Sequence, residues 1–297
     1  MHELKIQTLS IIAGSEACNA RCPFCVSKMT PPRGMTLKEP DVDWEKFNKA
    51  ALYARKHGAE TTMITSKGEP LLFPNQISGF MTHLSRVNFD TIELQTNGIK
   101  IADSPDFFEP YLQEWRRNGL ETISVSISHY DPEKNRIIYL PYRKSYIDLP
   151  KLINYLHKPE RKFKVRLACV MSKDYIDDAA DVEQLIRFAQ ENAADQLTIR
   201  PVNSPEESED PNVAKWVRNH SLKTYQLEDI KTYLAKAGKF ESRLPFGAEV
   251  YDVSGQNVCL TNSLTVDETD SGYLRQVIFS PDGKLWRDWQ YSDEVML

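Results

Sequence analysis

Apolar and polar positions alternate in six short runs over the first two thirds of the chain. QTLSIIA (7–13), ETTMITS (60–66), DTIELQT (90–96), ETISVSIS (121–128), FKVRLACVM (163–171) and QLTIRPV (196–202) read as strands. Between them apolar residues recur at helical spacing. Asp43 precedes Trp44, Phe47, Ala51 and Ala54 in a pattern that ends near Gly58. Asp148 with Pro150 opens a second helix, and Asp181 opens a third carrying Val182, Leu185, Ile186 and Ala189. Two more fall over 75–87 and 104–118, the latter stopping at Gly119. Strand and helix alternating six times predict the α/β class, with a parallel sheet and right-handed crossovers.

The composition of each strand decides between a doubly wound sheet and a barrel. A sheet covered by helices on both sides is apolar on both faces. Here Ile123, Val125 and Ile127 alternate with Ser124, Ser126 and Ser128, and Ile92 and Leu94 with Glu93, Gln95 and Asn97. Val165, Leu167, Cys169 and Met171 oppose Lys164 and Arg166, and Leu197 and Ile199 oppose Thr198 and Arg200. One face packs on helices, which puts Cys169 in the core, and the other looks into a wet or ligand-filled space. A closed eight-stranded barrel fills its interior with branched apolar side chains. The prediction is therefore a partial (β/α)6 TIM-like barrel with a small C-terminal β-rich extension.

After Asn203 the pattern changes. SPEESEDPN (204–212) reads as an acidic, mobile loop, and one more helix covers about 225–237 before Gly238. The last fifty residues lack helical periodicity and end in VIFSPDGKLWRDW, two β-runs around a Pro-Asp-Gly turn. The division is a barrel at 1–205 and an extension at 206–297 that closes it.

Bulk properties narrow the function classes. No apolar run approaches the roughly 20 residues that span a bilayer, and the N-terminus lacks the order of a secretory signal. A net charge of −5 gives no electrostatic case for broad nucleic-acid binding, although a local basic patch stays open. Five cysteines, an odd number, argue for a reducing cytoplasm rather than a disulfide framework.

Three of the five cysteines, Cys18, Cys22 and Cys25, fall within eight residues, ACNARCPFCVSK (17–28). Three thiolates on one short loop can reach a single metal centre. A structural zinc site is closed and four-coordinate, and no histidine or fourth cysteine stands nearby. A [4Fe–4S] cluster on three thiolates keeps one iron open to something other than the protein.

CNARCPFC resembles the cluster loop of the radical S-adenosylmethionine (SAM) superfamily, C-x3-C-x-aromatic-C, with Phe24 at the aromatic position. ITSKGEPLL (64–72) is similar to that family's Gly-Gly-Glu-Pro segment after strand two: Gly68, Glu69 and Pro70 match, and Lys67 replaces the first glycine. QTNG (95–98) and SVSIS (124–128) add weaker likeness, so the resemblance covers about residues 7–203. It implies one [4Fe–4S] cluster on the three cysteines, whose open iron chelates SAM. It also implies reductive cleavage of SAM to a 5′-deoxyadenosyl radical, with electrons from an external donor such as flavodoxin or ferredoxin.

The same resemblance assigns SAM binding to Phe24, Gly68, Glu69, Pro70, Gln95, Asn97 and Ser126. Arg166 is assigned to the SAM carboxylate and Arg200 to substrate. Lys67 reads as a solvated lysine. His129 and Tyr130 follow strand four at the mouth where barrel enzymes keep chemistry; loop surface is the competing home for both. The terminal hairpin is similar to one that ends in a cluster cysteine in members with an auxiliary (SPASM or twitch-like) domain. Here Asp288 stands at that place, so the tail resembles a degenerate domain without a cluster, with Cys259 as a remnant or a hydrogen donor. A redox-neutral reaction on a small metabolite or nucleotide follows. Peptide modification, with the hairpin edge accepting a strand, is the runner-up, and a non-catalytic Fe–S or zinc module the alternative of another class.

Overall fold

The computed structural model describes residues 5–261 and 273–290. Its strands are β1 Lys5–Ile12, β2 Thr61–Thr65, β3 Thr91–Thr96, β4 Leu120–Ile127, β5 Lys164–Met171, β6 Gln196–Pro201, β7 Lys239–Arg243, β8 Glu249–Val253, β9 Gln256–Leu260, β10 Tyr273–Phe279 and β11 Leu285–Trp286. Its helices are α1 Val26–Met29, α2 Trp44–Lys56, α3 Pro74–Leu84, α4 Ile99–Asp103, α5 Pro105–Arg117, α6 Pro132–Tyr139, α7 Leu149–His157, α8 Ala179–Glu191, α9 Pro211–His220 and α10 Thr224–Ala237. All six expected strands form within a residue or two of their anticipated bounds, and the α/β class holds.

The described residues divide into two compact units. One comprises 5–19, 30–123 and 273–290, the other 20–29 and 124–261. In the first, the strand order is β11-β10-β1-β2-β3. β1 runs parallel to both β2 and β10, and β11 turns back antiparallel on β10. Leu9, Ile11, Ile64 and Leu94 form the fully buried face. On this helix-covered side the α2 ring Phe47 meets Phe279 at 5.0 Å and Phe80 at 4.9 Å. The caps follow the sequence: Asp43 accepts from the Lys46 amide at 3.0 Å.

In the second unit, β4 lies beside β5, followed by β6-β9-β8-β7. β5, β6 and β9 are parallel, and β8 and β7 return antiparallel. Segments after residue 205 thus supply β9 beside β6 here and β10 beside β1 in the first unit. The β8–β9 turn carries Ser254 at φ 52° and Gly255 at φ 88°, the left-handed pair of a tight hairpin. The dipeptide Ser-Gly between two valine-containing runs is a signal that the sequence reading passed over.

Three expectations change. Helix α8 is capped by Asp178, whose side chain accepts from the Asp181 amide, so Asp181 lies inside the first turn. The segment after Asn203 is shorter than expected, because Asp210 caps α9 and the helix begins at Pro211. The face opposite the helices is not polar throughout. At its upper end on β5 it carries Ala168 and Val170, and Val170 joins Met29, Val202, Val213, Ala214 and Val217 in an apolar cluster. Cys169 is core, as expected: it is fully buried, and burial pushes its thiol well up.

Candidate functional site

The cysteine segment is built from hydrogen bonds at both of its stems. After β1, Gly14 has φ 75°, and its amide donates to Gln76 Oε1 at 2.6 Å. A Cβ there would fall 2.2 Å from the Phe73 ring, so only glycine fits. The Ser15 hydroxyl accepts from the Ala17 amide at 3.0 Å, just ahead of Cys18. Within the second unit the Cys25 amide donates to the Cys22 carbonyl at 3.3 Å and the Lys28 amide to the Cys25 carbonyl at 3.1 Å, which starts α1. The Tyr139 carbonyl receives the Arg21 amide at 3.0 Å and the Cys22 thiol at 3.8 Å. Phe24 meets the Tyr139 ring edge-on at 5.6 Å and the Trp216 ring at 6.0 Å. Cys18, Cys22 and Cys25 are all half-buried, and none is in a disulfide.

The segment after β2 packs on the entry to this loop. The Glu69 amide donates to the Ala17 carbonyl at 2.9 Å and the Ser66 hydroxyl to the Ser15 carbonyl at 3.1 Å. A Cβ on Gly68 would sit 2.0 Å from the Ala17 oxygen. That close approach is why glycine is required, since Gly68 is not among the left-handed residues. The Glu69 carboxylate, 2% exposed, accepts from the Leu71 amide at 3.1 Å, the Thr96 hydroxyl at 2.5 Å and the Asn97 amide at 2.9 Å. Burial pushes its pKa up to about 7, against the pull of those three donors. Pro70 begins a short 3-10 turn over Pro70–Leu72 that Glu69 caps.

The segment after β3 closes the same corner. The Asn97 side chain donates to Asn19 at 2.6 Å, next to Cys18, and accepts from the Ile99 amide at 3.0 Å. Gly98 follows at φ 74°. Gln95 is turned along the sheet instead, donating to Glu93 at 3.0 Å. Lys67 is the clearest correction here. It is 4% exposed rather than solvated, and its Nζ donates to the Thr30 carbonyl and hydroxyl.

In the second unit His129 is buried, 2% exposed, which corrects the loop-surface expectation for it. Asn135, fully buried, accepts from the Ser128 and His129 amides at 2.9 and 3.1 Å and so holds this turn. His129 Nδ1 accepts from the Asp131 amide at 2.9 Å, and Nε2 lies 3.2 Å from the Lys134 ammonium nitrogen. Desolvation lowers the His129 pKa to about 4. Tyr130 is half-buried and stacks on Phe188 at 5.8 Å. Ser126 is half-buried, and its carbonyl accepts from the Tyr146 hydroxyl at 3.4 Å.

The strand register sorts the remaining residues. Arg166, Gln196 and Asn257 share one row, Ala168, Thr198 and Cys259 the next, and Val170 and Arg200 a third. Arg166 therefore lies near the N-terminal end of β5, its Nε on Gln196 Oε1 at 2.9 Å. At about 3.3 Å per residue it is roughly 16 Å short of the strand's C-terminal end, where this class of fold holds its ligands. The case for Arg166 as the SAM carboxylate partner is withdrawn on that ground. Arg200 lies one residue from the C-terminal end of β6. Cys259 is half-buried on the same face as Arg200.

At the tail, Asp288 is held by protein partners. Its carbonyl accepts from Arg33 Nη2 at 2.6 Å and its carboxylate from the Gln290 amide at 2.7 Å. The Arg33 guanidinium lies 4.1 Å from the Trp286 ring centroid. Burial lowers the Arg33 pKa and the Asp288 charge opposes that fall. Trp286 packs with Ile12, Met35 and Ile278. The sequence reading missed Lys67 and Arg33 as buried anchors, since nothing in the one-dimensional pattern separates a buried cation from a solvated one. The α9 contact to Phe24 was within reach: Asp210 as a cap with Val213 and Val217 four apart is a helix signal.

Residues 12–158 match the radical SAM superfamily. That stretch, just under half of the chain, is similar to the radical SAM domain. The chain is 28% identical over 192 residues to GTP 3′,8-cyclase of Aquifex aeolicus, covering 62% of this chain and 52% of that protein. It is 31% identical over 130 residues to a probable GTP 3′,8-cyclase of Archaeoglobus fulgidus, 43% of this chain and 38% of that one. The chain thus spans about half or less of these relatives. Streptococcus suis SuiB bound to S-adenosylmethionine superposes with a TM-score of 0.62 at 14% identity, over 96% of this chain and 61% of SuiB. Native anSMEcpe with bound AdoMet gives 0.59 at 15%, over 98% and 77%. These likenesses establish the partial-barrel fold. The radical SAM family uses a [4Fe–4S] cluster and SAM, and the donor set here fits that use: three half-buried thiols, with Gly68 shaved to backbone against the carbonyl before Cys18.

Proposed function

We propose that this chain is a radical SAM enzyme acting on a small, anion-bearing metabolite or nucleotide, with a redox-neutral outcome. The observation that carries the reading is the backbone at Gly68, stripped of a Cβ and held against the Ala17 carbonyl just before Cys18, which leaves room for a ligand's polar group beside the cysteine loop. Cys18, Cys22 and Cys25 would hold a [4Fe–4S] cluster, and SAM would take its open iron. When bound, the pair supplies a 5′-deoxyadenosyl radical that takes hydrogen from substrate. Backbone carbonyls at Gly68–Pro70 accept the methionine ammonium group. Asn97 and Ser126, at the C-terminal ends of β3 and β4, serve SAM recognition, and Gln95 supports them through Glu93. Phe24 packs the cluster loop.

Arg200 supplies the cation for an anionic substrate group at the end of β6. His129 stands beside the Lys134 ammonium, 3.2 Å from its Nε2, and Tyr130 lines the same turn. Cys259 shares the Arg200 face and is the hydrogen donor if the product is an epimer. An external flavodoxin or ferredoxin provides electrons, in the cytoplasm. The barrel at 1–205 and the extension at 206–297 belong to this proposal, supported by β9 and β10 pairing beside β6 and β1. No helix among the described residues is long and apolar enough to cross a membrane.

The nucleotide end of the substrate range draws support from the two cyclase relatives. Peptide modification is the second reading, favoured by β7, whose five residues are all exposed at a sheet edge that can accept a strand. The test is anaerobic reconstitution. The expected result is about four irons per chain and 5′-deoxyadenosine formed from SAM and dithionite, lost in Cys22→Ala. Zinc in place of iron, or intact SAM, would return the chain to a non-catalytic metal module.

A further inference from the structure

Lys67 stands where the resembling motif has glycine, and its backbone is not in the left-handed region, so the position does not demand one. Taking a charged amino group out of water is costly unless its donors are satisfied. Lys67 is 4% exposed, and its Nζ donates to the Thr30 carbonyl at 3.1 Å and the Thr30 hydroxyl at 2.7 Å. Thr30, itself 3% exposed, directly follows α1 and is the exit of the segment that carries the cysteines. The residues on either side of Lys67 hold the entry: the Ser66 hydroxyl reaches the Ser15 carbonyl, and the Glu69 amide the Ala17 carbonyl. Three residues within one four-residue stretch, Ser66, Lys67 and Glu69, therefore hold both stems of one loop. The entry is near enough for a short hydroxyl and a backbone amide. The exit takes the longer reach of a lysine stem with a multiple donor at its tip, which a glycine lacks.

We propose that Lys67 is a positioning residue that ties down the exit of the cysteine loop, so that the loop is shaped for its metal before the metal arrives. The proposal rests on reading the loop as a ligand loop. Its test, however, uses the metal-free chain, so its failure is distinct from failure of the enzymatic reading.

The full-length protein, stripped of metal, is labelled with a thiol-alkylating reagent and each cysteine is followed by mass spectrometry. Lys67→Met and Thr30→Val should each raise labelling of Cys22 and Cys25 several-fold with Cys169 unmoved. The double variant should add little to either single one, and Lys67→Arg should retain most of the protection. In the reconstituted protein, Lys67→Met should release iron to a chelator several-fold faster and broaden the electron paramagnetic resonance line shape of the reduced cluster. If Lys67→Met does not fold, Thr30→Val carries the test. Unchanged labelling in both variants, additive effects in the double variant, or a rise at Cys169 in step with Cys22 would overturn the proposal.

Discussion

Glu69 Oε1 accepts a 2.5 Å hydrogen bond from the Thr96 hydroxyl, while Oε2 takes the Asn97 amide at 2.9 Å. One buried carboxylate thereby joins the segments that follow β2 and β3, and burial has pushed its pKa from 4.5 up to about 7. Because the folded value lies above the unfolded one, the folded state holds a proton over that interval that the unfolded chain gives up. The stability Glu69 contributes is full below about pH 4.5 and is lost as pH rises to about 7. The ceiling on that loss is about 3 kcal/mol. Glu69→Gln cannot ionise, so denaturant melts should show the stability of wild type relative to the variant falling between pH 4.5 and 7. A difference independent of pH would remove this account.

His129 works in the opposite sense. Desolvation places it at about 4, below its ordinary 6.5, so the unfolded chain binds the extra proton. Its contribution is full above pH 6.5 and declines as pH falls toward 4. Thermal melts of His129→Gln over that range should lose less on acidification than wild type. Equal acid loss in both proteins would count against a buried neutral imidazole.

Gly68→Ala drives a Cβ to within 2.0 Å of the Ala17 carbonyl, and both partners are backbone, so neither can swing aside. We expect a cost of about 1–3 kcal/mol by calorimetry and a reconstituted iron content well below wild type. A variant of unchanged melting temperature and iron content would mean that the approach is looser than described.

Arg33→Met retains the bulk and loses the hydrogen bond to the Asp288 carbonyl and the charge over Trp286. Each contact is worth about 1 kcal/mol. Hydrogen exchange in β10 and β11 should quicken by roughly tenfold per 1.4 kcal/mol lost, with α8 and β5 unchanged. Uniform quickening would point to global destabilisation instead.

Cys259→Ala should leave 5′-deoxyadenosine formation from SAM intact while abolishing net turnover of the native substrate, if the thiol returns a hydrogen atom. Full turnover in the variant would make Cys259 a bystander on β9.

The strands and the two motifs were legible because they depend on local pattern. Alternation of Ile123, Val125 and Ile127 with serine, the Asp43 and Asp148 caps, and the spacing of Cys18, Cys22 and Cys25 are all short-range facts. What stayed hidden depends on register and on partners distant in sequence. Arg166 and Arg200 look alike in a strand pattern, and only the depth of each along its strand separates a bottom residue from one at the mouth. Lys67 and Arg33 look like surface cations until Thr30, Trp286 and Asp288 are seen beside them. Asp181 passed for a cap because Asp177, Asp178 and Asp181 are chemically equivalent candidates, and which one ends outside the helix is settled by backbone geometry.

The pairing of β1 with β10 has a consequence for how the chain is made. Ser10 bonds Gln276 across 266 residues of sequence. Once β1 is synthesised it has β2 within reach early, but its other edge stays open until translation passes residue 279. Throughout that time it presents bare amides and carbonyls to every other nascent chain. A pairing that spans so much of the chain raises the contact order, which slows assembly in general, and the interval between synthesis of β1 and arrival of β10 is when that edge is open to aggregation.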